Sequence, residues 1–368
     1  MRWQHYSLLK GDSLVDFWKT HLTDKTRNVL YVLGMGFDPR MCLGLEALVQ
    51  EAGLTNFDVW LLEFDEGEDS PSQRHKREVQ ENRTKLSAIL PEGQSPIVKR
   101  VETLSSDGKR RVRPRNAAKI FQKGEDFADY TDVIVDISAL PRGLYFPAIA
   151  ALLYLCDDTK AAVRINLHVF AWDDTELDKS IRDVGIEDRA EYLFPFAGDD
   201  KEAEAHVPTI WIPLLGEGQK DQLSLIDEFF SNTKEIVPIL PFPSRVPRRA
   251  DDLFLEYREL LLEKLLVEPA NFCYASEQNP FAAYRQIMRI VKRYRLSLKP
   301  LGGVRFVFSA LSSKLFSLGA LLAAHEMRNQ NVPVGIAHVE CHGYELDEGS
   351  AVHGELFGLW LCGELYGE

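Results

Sequence analysis

Cysteine is scarce in this chain and never closely spaced. The five cysteines, Cys42, Cys156, Cys273, Cys341 and Cys362, form no Cys-x-x-Cys pair and are odd in number. That argues against a disulfide framework and for a reducing compartment. Long apolar runs are missing too. The longest lies around Phe146 to Cys156, too short to span a bilayer. The opening stretch MRWQHYSLLKGDS lacks the apolar core of a signal peptide, so a cytoplasmic protein with no membrane partner is expected. Positive charge is in deficit: 43 Lys and Arg against 56 Asp and Glu give a formal net charge of −13. This argues against a general DNA-coating protein, although a local basic pocket remains compatible with it. Catalytic signatures are absent as well. There is no P-loop, no GxSxG elbow and no HExxH. Nor is there an Arg-x4–6-His ribonuclease motif or a PD-(D/E)xK nuclease core. No cofactor and no metal are expected.

What is present is ordinary globular material, 45% hydrophobic and 27% charged over 368 residues, enough for about two domains. Residues 1–27 form an amphipathic lead-in, with Leu14, Phe17, Trp18 and Leu22 on one helical face. NVLYVLGMGFDPR (28–40) joins a buried-strand signal to two glycines, and MCLGLEALVQEAG continues as a helix ended by Gly53. FDVWLLEFD (57–65), DVIVDIS and INLHVFAWDD supply further strands, with helices between them. Strands alternating with helices predict an α/β fold with mainly parallel sheets covered on both faces.

The second half repeats the order. TIWIPLLGEG (209–218) matches NVLYVLGMG, EIVPILPF (235–242) matches FDVWLLEF, and VRFVFSALSSKLFSLGALLAAHEM (304–327) matches VIVDISALPRGLYFPAIAALLYL. Gly34 to Gly216 is 182 positions and Ser138 to Ser309 is 171, a drift that loops absorb. Two tandem Rossmann-like repeats follow as the expectation, residues 1–200 and 201–368. The second carries a helical insertion at about 245–300, without a partner in strand pattern, which would sit where 70–125 sits in the first.

Two turns could carry chemistry. In Gly34-Met35-Gly36-Phe37-Asp38-Pro39-Arg40, the glycines would admit a ligand close to the backbone. Asp38 would cap a helix and Pro39 would open it, with Arg40 on its first turn facing an anion. A third fingerprint glycine is missing, which speaks against NAD. The alternative is a tight turn with a good cap. Gly216-Glu217-Gly218 shares the spacing, but Glu217 would repel a phosphate. In Asp136-Ile137-Ser138-Ala139-Leu140-Pro141-Arg142, a hydroxyl, helix N–H groups and a guanidinium suit a phosphate or ribose. The alternative is that Ser138 only caps a helix and Arg142 is surface charge.

The second turn fits the pattern Asp/Asn-x-Ser/Thr-x-x-x-Arg/Lys and resembles that of CARF domains, the CRISPR-associated Rossmann-fold sensors. The resemblance covers about residues 28–175. It implies a Rossmann-like sensor that contacts a cyclic oligonucleotide through Asp136, Ser138 and Arg142, and a tandem pair standing in for the family's dimer. The second copy departs from the pattern: Val307 replaces the Asp, Ser313 takes the Arg position and Lys314 follows it. Ser309, Ser312, Ser313 and Lys314 are the candidate contacts there.

The leading expectation is therefore a nucleotide-binding sensor of a prokaryotic defence system. It would hold a phosphate-bearing ligand between the repeats and signal to a separate effector. Alternatives are a nucleotide-processing hydrolase, with Ser309 and Lys314 at work on a ribose, and a non-catalytic scaffold subunit. Direct nucleic-acid contact is expected at most through the basic stretch Lys109, Arg110, Arg111, Arg113, Arg115 and Lys119, which could equally be a solvated loop. His338, Glu340 and His342 alternate along the last predicted strand and would share one face, open to acid–base or zinc chemistry or merely ending the strand.

Overall fold

The computed structural model describes residues 1–65, 71–103, 113–158, 163–197, 207–229, 233–347 and 350–367. The chain divides into two compact units, and each is described by itself. The first comprises Tyr6–Gly185 and Cys341–Glu368, the second Met1–His5 and Ile186–Glu340.

The first unit is organised by apolar runs too continuous for a half-exposed strand. β2 (Val29–Gly34) is buried at every position, as is β5 (Asp132–Asp136). Such strands need cover on both faces, which parallel pairing with crossover helices supplies. The sheet also contains β1 (Ser7–Lys10), β3 (Phe57–Asp65), β4 (Ile97–Glu102), β6 (Asn166–Asp173) and β16 (Glu355–Cys362), in the order β1-β16-β6-β5-β2-β3-β4. The run from β6 to β4 is parallel. β16 and β1 add antiparallel edges. The helices are α1 (Gly11–His21), α2 (Leu43–Glu46), α3 (Lys76–Ile89), α4 (Arg113–Ile120), α5 (Arg142–Asp157) and α6 (Thr175–Ser180). α5 is buried without a break from Gly143 to Leu153. A helix apolar on all sides belongs inside, and α5 packs against α4 in following the central strand β5.

The second unit repeats this wiring. Its sheet runs β12-β11-β9-β13-β14-β8, built from β8 (Glu191–Tyr192), β9 (Thr209–Leu214), β11 (Ile239–Pro241), β12 (Cys273–Ala275), β13 (Arg305–Ala310) and β14 (Val334–His338), with β10 (Thr233–Ile236) also on β9. With β10 and β11, which both pair parallel with β9, counted as one interrupted strand, the parallel strands in chain order within each unit lie as 3-2-1-4-5 in both sheets, with an antiparallel strand beyond the fifth. The helices are α7 (Lys220–Phe229), α8 (Arg249–Arg258), α9 (Pro280–Ser297) and α10 (Lys314–Asn329). α10 follows the fourth parallel strand, as α5 does, and is buried from Leu315 to Met327. The parallel-rich α/β fold expected from the alternation is present. β7 (Ile181–Ile186) and β15 (Cys341–Leu346) form a separate two-stranded sheet.

Four expectations are corrected. The partition at residue 200 gives way because β16 returns to hydrogen-bond with β6, Glu355 opposite Asp173 through Cys362 opposite Leu167. The region 245–300 is not purely helical: β12, only three residues long, occupies the place of β4. Cys156, near the end of α5, and Cys362, ending β16, are paired as a disulfide across 206 residues, Cα–Cα 6.8 Å. Local spacing carries no sign of that pair, so the cysteine pattern does not establish a reducing compartment. Finally, His338 and His342 do not share a strand, because β14 ends at His338 and β15 begins at Cys341. Among the described residues, no helix is long and apolar enough to cross a membrane.

Candidate functional site

In a 3-2-1-4-5 sheet the strand order reverses between the first and fourth strands, and ligands of such sheets gather there at the carboxyl ends. In the first unit these are β2 and β5, and the two turns singled out from the sequence leave the sheet at that point. The candidate residues are thus brought to one edge. Their side chains are not equally available.

Gly34 makes room for the turn beside it. A β-carbon on it would meet Leu140 Cδ2 at 2.3 Å, so the glycine admits the leucine of Ser138-Ala139-Leu140. Gly216 does the same for the second unit, where a β-carbon would lie 2.3 Å from the Leu311 carbonyl oxygen and 2.8 Å from Ser312 Cα. The paired GxG and Ser-Ala-Leu features are two halves of one packing contact. Gly36 is half-buried and has nothing within 4 Å of such a carbon. Its carbonyl accepts a hydrogen bond from Asn82 Nδ2 at 2.9 Å, and Asp38 O accepts from the same amide nitrogen at 2.9 Å.

Arg40 does not sit on a first helical turn. The helix begins at Leu43, because the Asp38 carboxylate accepts from the Arg40 backbone N–H at 2.9 Å and holds residues 38–42 in a turn. The guanidinium is buried and already engaged. Nε and Nη2 donate to Asp38 at 3.0 and 2.8 Å, and Nη1 donates to Asp178 Oδ1 at 2.7 Å. Arg40 is a strut between the β2 turn and α6, not an anion receptor. Its pKa rises, with the two carboxylates overcoming the burial that opposes it.

Asp136 and Ser138 are also internal. Asp136 Oδ2 accepts from Tyr31 Oη at 2.5 Å, and Oδ1 accepts from the Ser138 backbone N–H at 2.9 Å. Burial, then the Asp136 charge, pushes the Tyr31 phenol well above its usual range, so the phenol stays the donor. Ser138 Oγ accepts from the Trp172 backbone N–H at 2.8 Å. It therefore ties β5 to β6 and does not cap α5. Arg142 is half-buried at the first position of α5, whose N-cap Pro141 offers no side-chain hydrogen bond.

In the second unit Ser309 is fully buried, and its Oγ accepts from Trp211 Nε1 at 2.9 Å. That placement removes it from the role the hydrolase reading needs. Ser313 is the N-cap of α10, accepting from Phe316 N at 3.4 Å, and the Ser312 carbonyl accepts from Ser317 Oγ at 3.0 Å. Ser312, Ser313 and Lys314 are half-buried at that helix start. His338 Nε2 and Glu340 Oε2 are 2.8 Å apart, whereas His342 lies against Gly185. Of the basic stretch, Lys109, Arg110 and Arg111 lie outside the described residues. Arg113 is buried in α4, which also carries Arg115 and Lys119.

Tyr31, Asn82, Trp172 and Asp178 escaped the sequence reading. Each acts through a partner distant in the chain, and only the unbroken apolar run of β2 that buries Tyr31 hints at one of them.

No protein-family model matches the chain, and no curated protein matches it. Solved structures similar to it in part include these three. One is a protein assigned to the universal stress proteins from Pseudomonas aeruginosa UCBPP-PA14, at 13% identity over 84% of this chain and 92% of that one, with a TM-score of 0.23. Another is a functionally unknown protein from Pseudomonas aeruginosa PAO1, at 12% identity over 83% and 91%, TM-score 0.22. The third is a triple-mutant deacetylase of teicoplanin biosynthesis, at 13% identity over 46% and 76%, TM-score 0.25. At these TM-scores the likenesses carry no argument, and the fold rests on the strand order itself.

Proposed function

We propose that the first unit is a nucleotide-binding module that takes a phosphate-bearing ligand at the carboxyl ends of β2 and β5. One observation carries this reading. The strand order reverses there, and at the same point α5 begins without a side-chain cap and with Arg142 at its first position. A helix N-terminus presents N–H groups and a partial positive charge, and a guanidinium beside it adds a planar fork for phosphate oxygens. The corresponding start of α10 is capped by Ser313, which favours the first unit as the binding one.

The finer reading is a cytoplasmic sensor for a cyclic oligonucleotide in a prokaryotic defence system, signalling through a separate effector protein. It rests on the Asp136-x-Ser138-x-x-x-Arg142 pattern. Asp136 and Ser138 then act by holding the turn, through Tyr31 and Trp172, and Arg142 is the contact.

Calorimetry of the full chain with ATP, AMP and cyclic oligoadenylates tests both levels. A charge-assisted contact contributes about 1.5–3 kcal/mol, so Arg142→Ala should weaken binding by roughly 10- to 150-fold while the fold persists by circular dichroism. Binding by cyclic oligoadenylates alone supports the sensor. Binding by none of them to the folded protein, or binding indifferent to Arg142→Ala, overturns the proposal.

A further inference from the structure

The other end of β5 holds a second cluster of chemistry-bearing residues. Asp132 opens the strand and is fully buried. Three nitrogens converge on its Oδ1 atom: Asn166 Nδ2, a fixed donor, at 3.1 Å, and His21 Nε2 and His168 Nε2, whose roles follow the tautomer, at 2.9 and 3.2 Å. A carboxylate oxygen offers about two lone-pair directions, so this one is oversubscribed. Oδ2 accepts from the Thr131 hydroxyl at 2.7 Å and lies 3.7 Å from Arg27 Nη1.

Arg27 does not balance the charge. Its guanidinium binds Glu364 through two hydrogen bonds of 2.9 Å and stands 3.4 Å from Asp24. Glu364 and Asp24 are largely exposed and screened by water, so the buried charge at stake is that of Asp132, which has only a share of Arg27 at 3.7 Å. A divalent cation would pair with that carboxylate directly.

The geometry suits such an ion. The donor atoms of His21, Asp132 and His168 all lie within 4.8 Å of one another. Zinc bonds of about 2.0–2.1 Å set tetrahedral ligand atoms about 3.3 Å apart, and the two imidazole-to-carboxylate distances of 2.9 and 3.2 Å are near that. Aromatic rings wall the cluster. Trp18 and Trp360 each lie 4.9 Å from the His168 ring, and Phe17 stacks on His21 at 5.3 Å. Trp18 Nε1 is buried there and meets no acceptor among the described residues.

We propose that His21, Asp132 and His168 bind a divalent transition metal, zinc foremost, through two imidazole nitrogens and one carboxylate oxygen with a fourth position open. Such a donor set, two imidazoles and a carboxylate, is one that zinc and iron(II) accept. Binding requires each imidazole to turn a lone pair at Nε2 toward the ion and carry its proton on Nδ1. Asn166 and Thr131 then hold the carboxylate from outside the ligand set.

The full chain, stripped with a chelator, is titrated with zinc alone by calorimetry. Cobalt(II) is then added and its visible absorption recorded. The expected result is one ion per chain and a tetrahedral cobalt spectrum. Binding should weaken in His168→Gln and in His21→Gln by more than the roughly 10–100-fold lost when only supporting hydrogen bonds are removed. His21 closes α1 at the edge of the cluster, and glutamine there keeps a donor toward Asp132. That variant carries the test if the His168 variant fails to fold. Zinc affinity unchanged in folded His21→Gln, or no zinc bound by the stripped protein at millimolar concentration, overturns the proposal.

Discussion

Leu140 Cδ2 lies where a β-carbon on Gly34 would have to be, 2.3 Å from it. The contact joins the first parallel strand to the turn after the fourth, and Gly216 with Leu311 repeats it in the second unit. Gly34→Ala should therefore cost about 1–3 kcal/mol, the range for an extra methyl forced into a packed core. Gly216→Ala should cost more, because its neighbour is backbone and cannot swing aside. Gly36→Ala should fall within about 0.5 kcal/mol of the parent, since its site is open. Urea denaturation of the three variants checks the order; equal losses at Gly34 and Gly36 would contradict the packing account.

Arg40 predicts a stability phenotype. Arg40→Ala strands the Asp38 carboxylate in a buried turn and should cost about 3–5 kcal/mol, the range for breaking a buried pair from one side. Arg40→Lys should recover only part of the loss, because an ammonium cannot span Asp38 and Asp178 as the fork does. Denaturation midpoints measure this. A folded Arg40→Ala of parental stability with weakened nucleotide binding would restore Arg40 to the ligand site.

Tyr31→Phe removes the donor to Asp136 Oδ2 and leaves a buried carboxylate short of a partner. The expected loss is about 1.5–3 kcal/mol, as for hydrogen bonds to charged groups. The double variant Tyr31→Phe, Asp136→Asn should lose less than the two single losses added together, because the residues act as one pair. Full additivity in a double-mutant cycle would show that the pair is not coupled.

Thiol chemistry gives a pH test. Burial, then the Asp136 charge, pushes the Cys42 thiol up to about 12. A raised thiol pKa keeps the group protonated as pH rises, so Cys42 should stay unreactive toward a disulfide reagent at pH 8 and at pH 9 alike. Cys273 is half-exposed and should supply the fast phase, abolished in Cys273→Ser. Unfolding without reductant should release three thiols in all, Cys42, Cys273 and Cys341, and reduction should add Cys156 and Cys362. Five thiols in unreduced, unfolded protein would refute the disulfide.

Much of the parallel sheet was legible in the sequence, because burial on both faces leaves an unbroken apolar run such as Val29–Leu33. The paired turns were legible too, as glycine and Ser-Ala-Leu at matching places. Short edge strands were not. β12 has three residues and β4 exposes most of its length, so neither leaves an apolar run.

The order of residues along the chain is enough to specify the alternation of strands and helices, and with it the parallel α/β class, since periodicity follows from which faces are dry. It also puts Arg40, Asp136, Ser138 and Arg142 in or beside the turns that follow two strands. What those side chains touch follows from packing in three dimensions. Asp38 and Asp178 close on Arg40, and Tyr31 closes on Asp136. The return of β16 to β6, the bond from Cys156 to Cys362, and the meeting of His21, Asp132 and His168 were likewise set by tertiary packing. Hydrogen bonds and ion pairs depend on distance in space. Residues 36 to 206 positions apart carry no local pattern that records it.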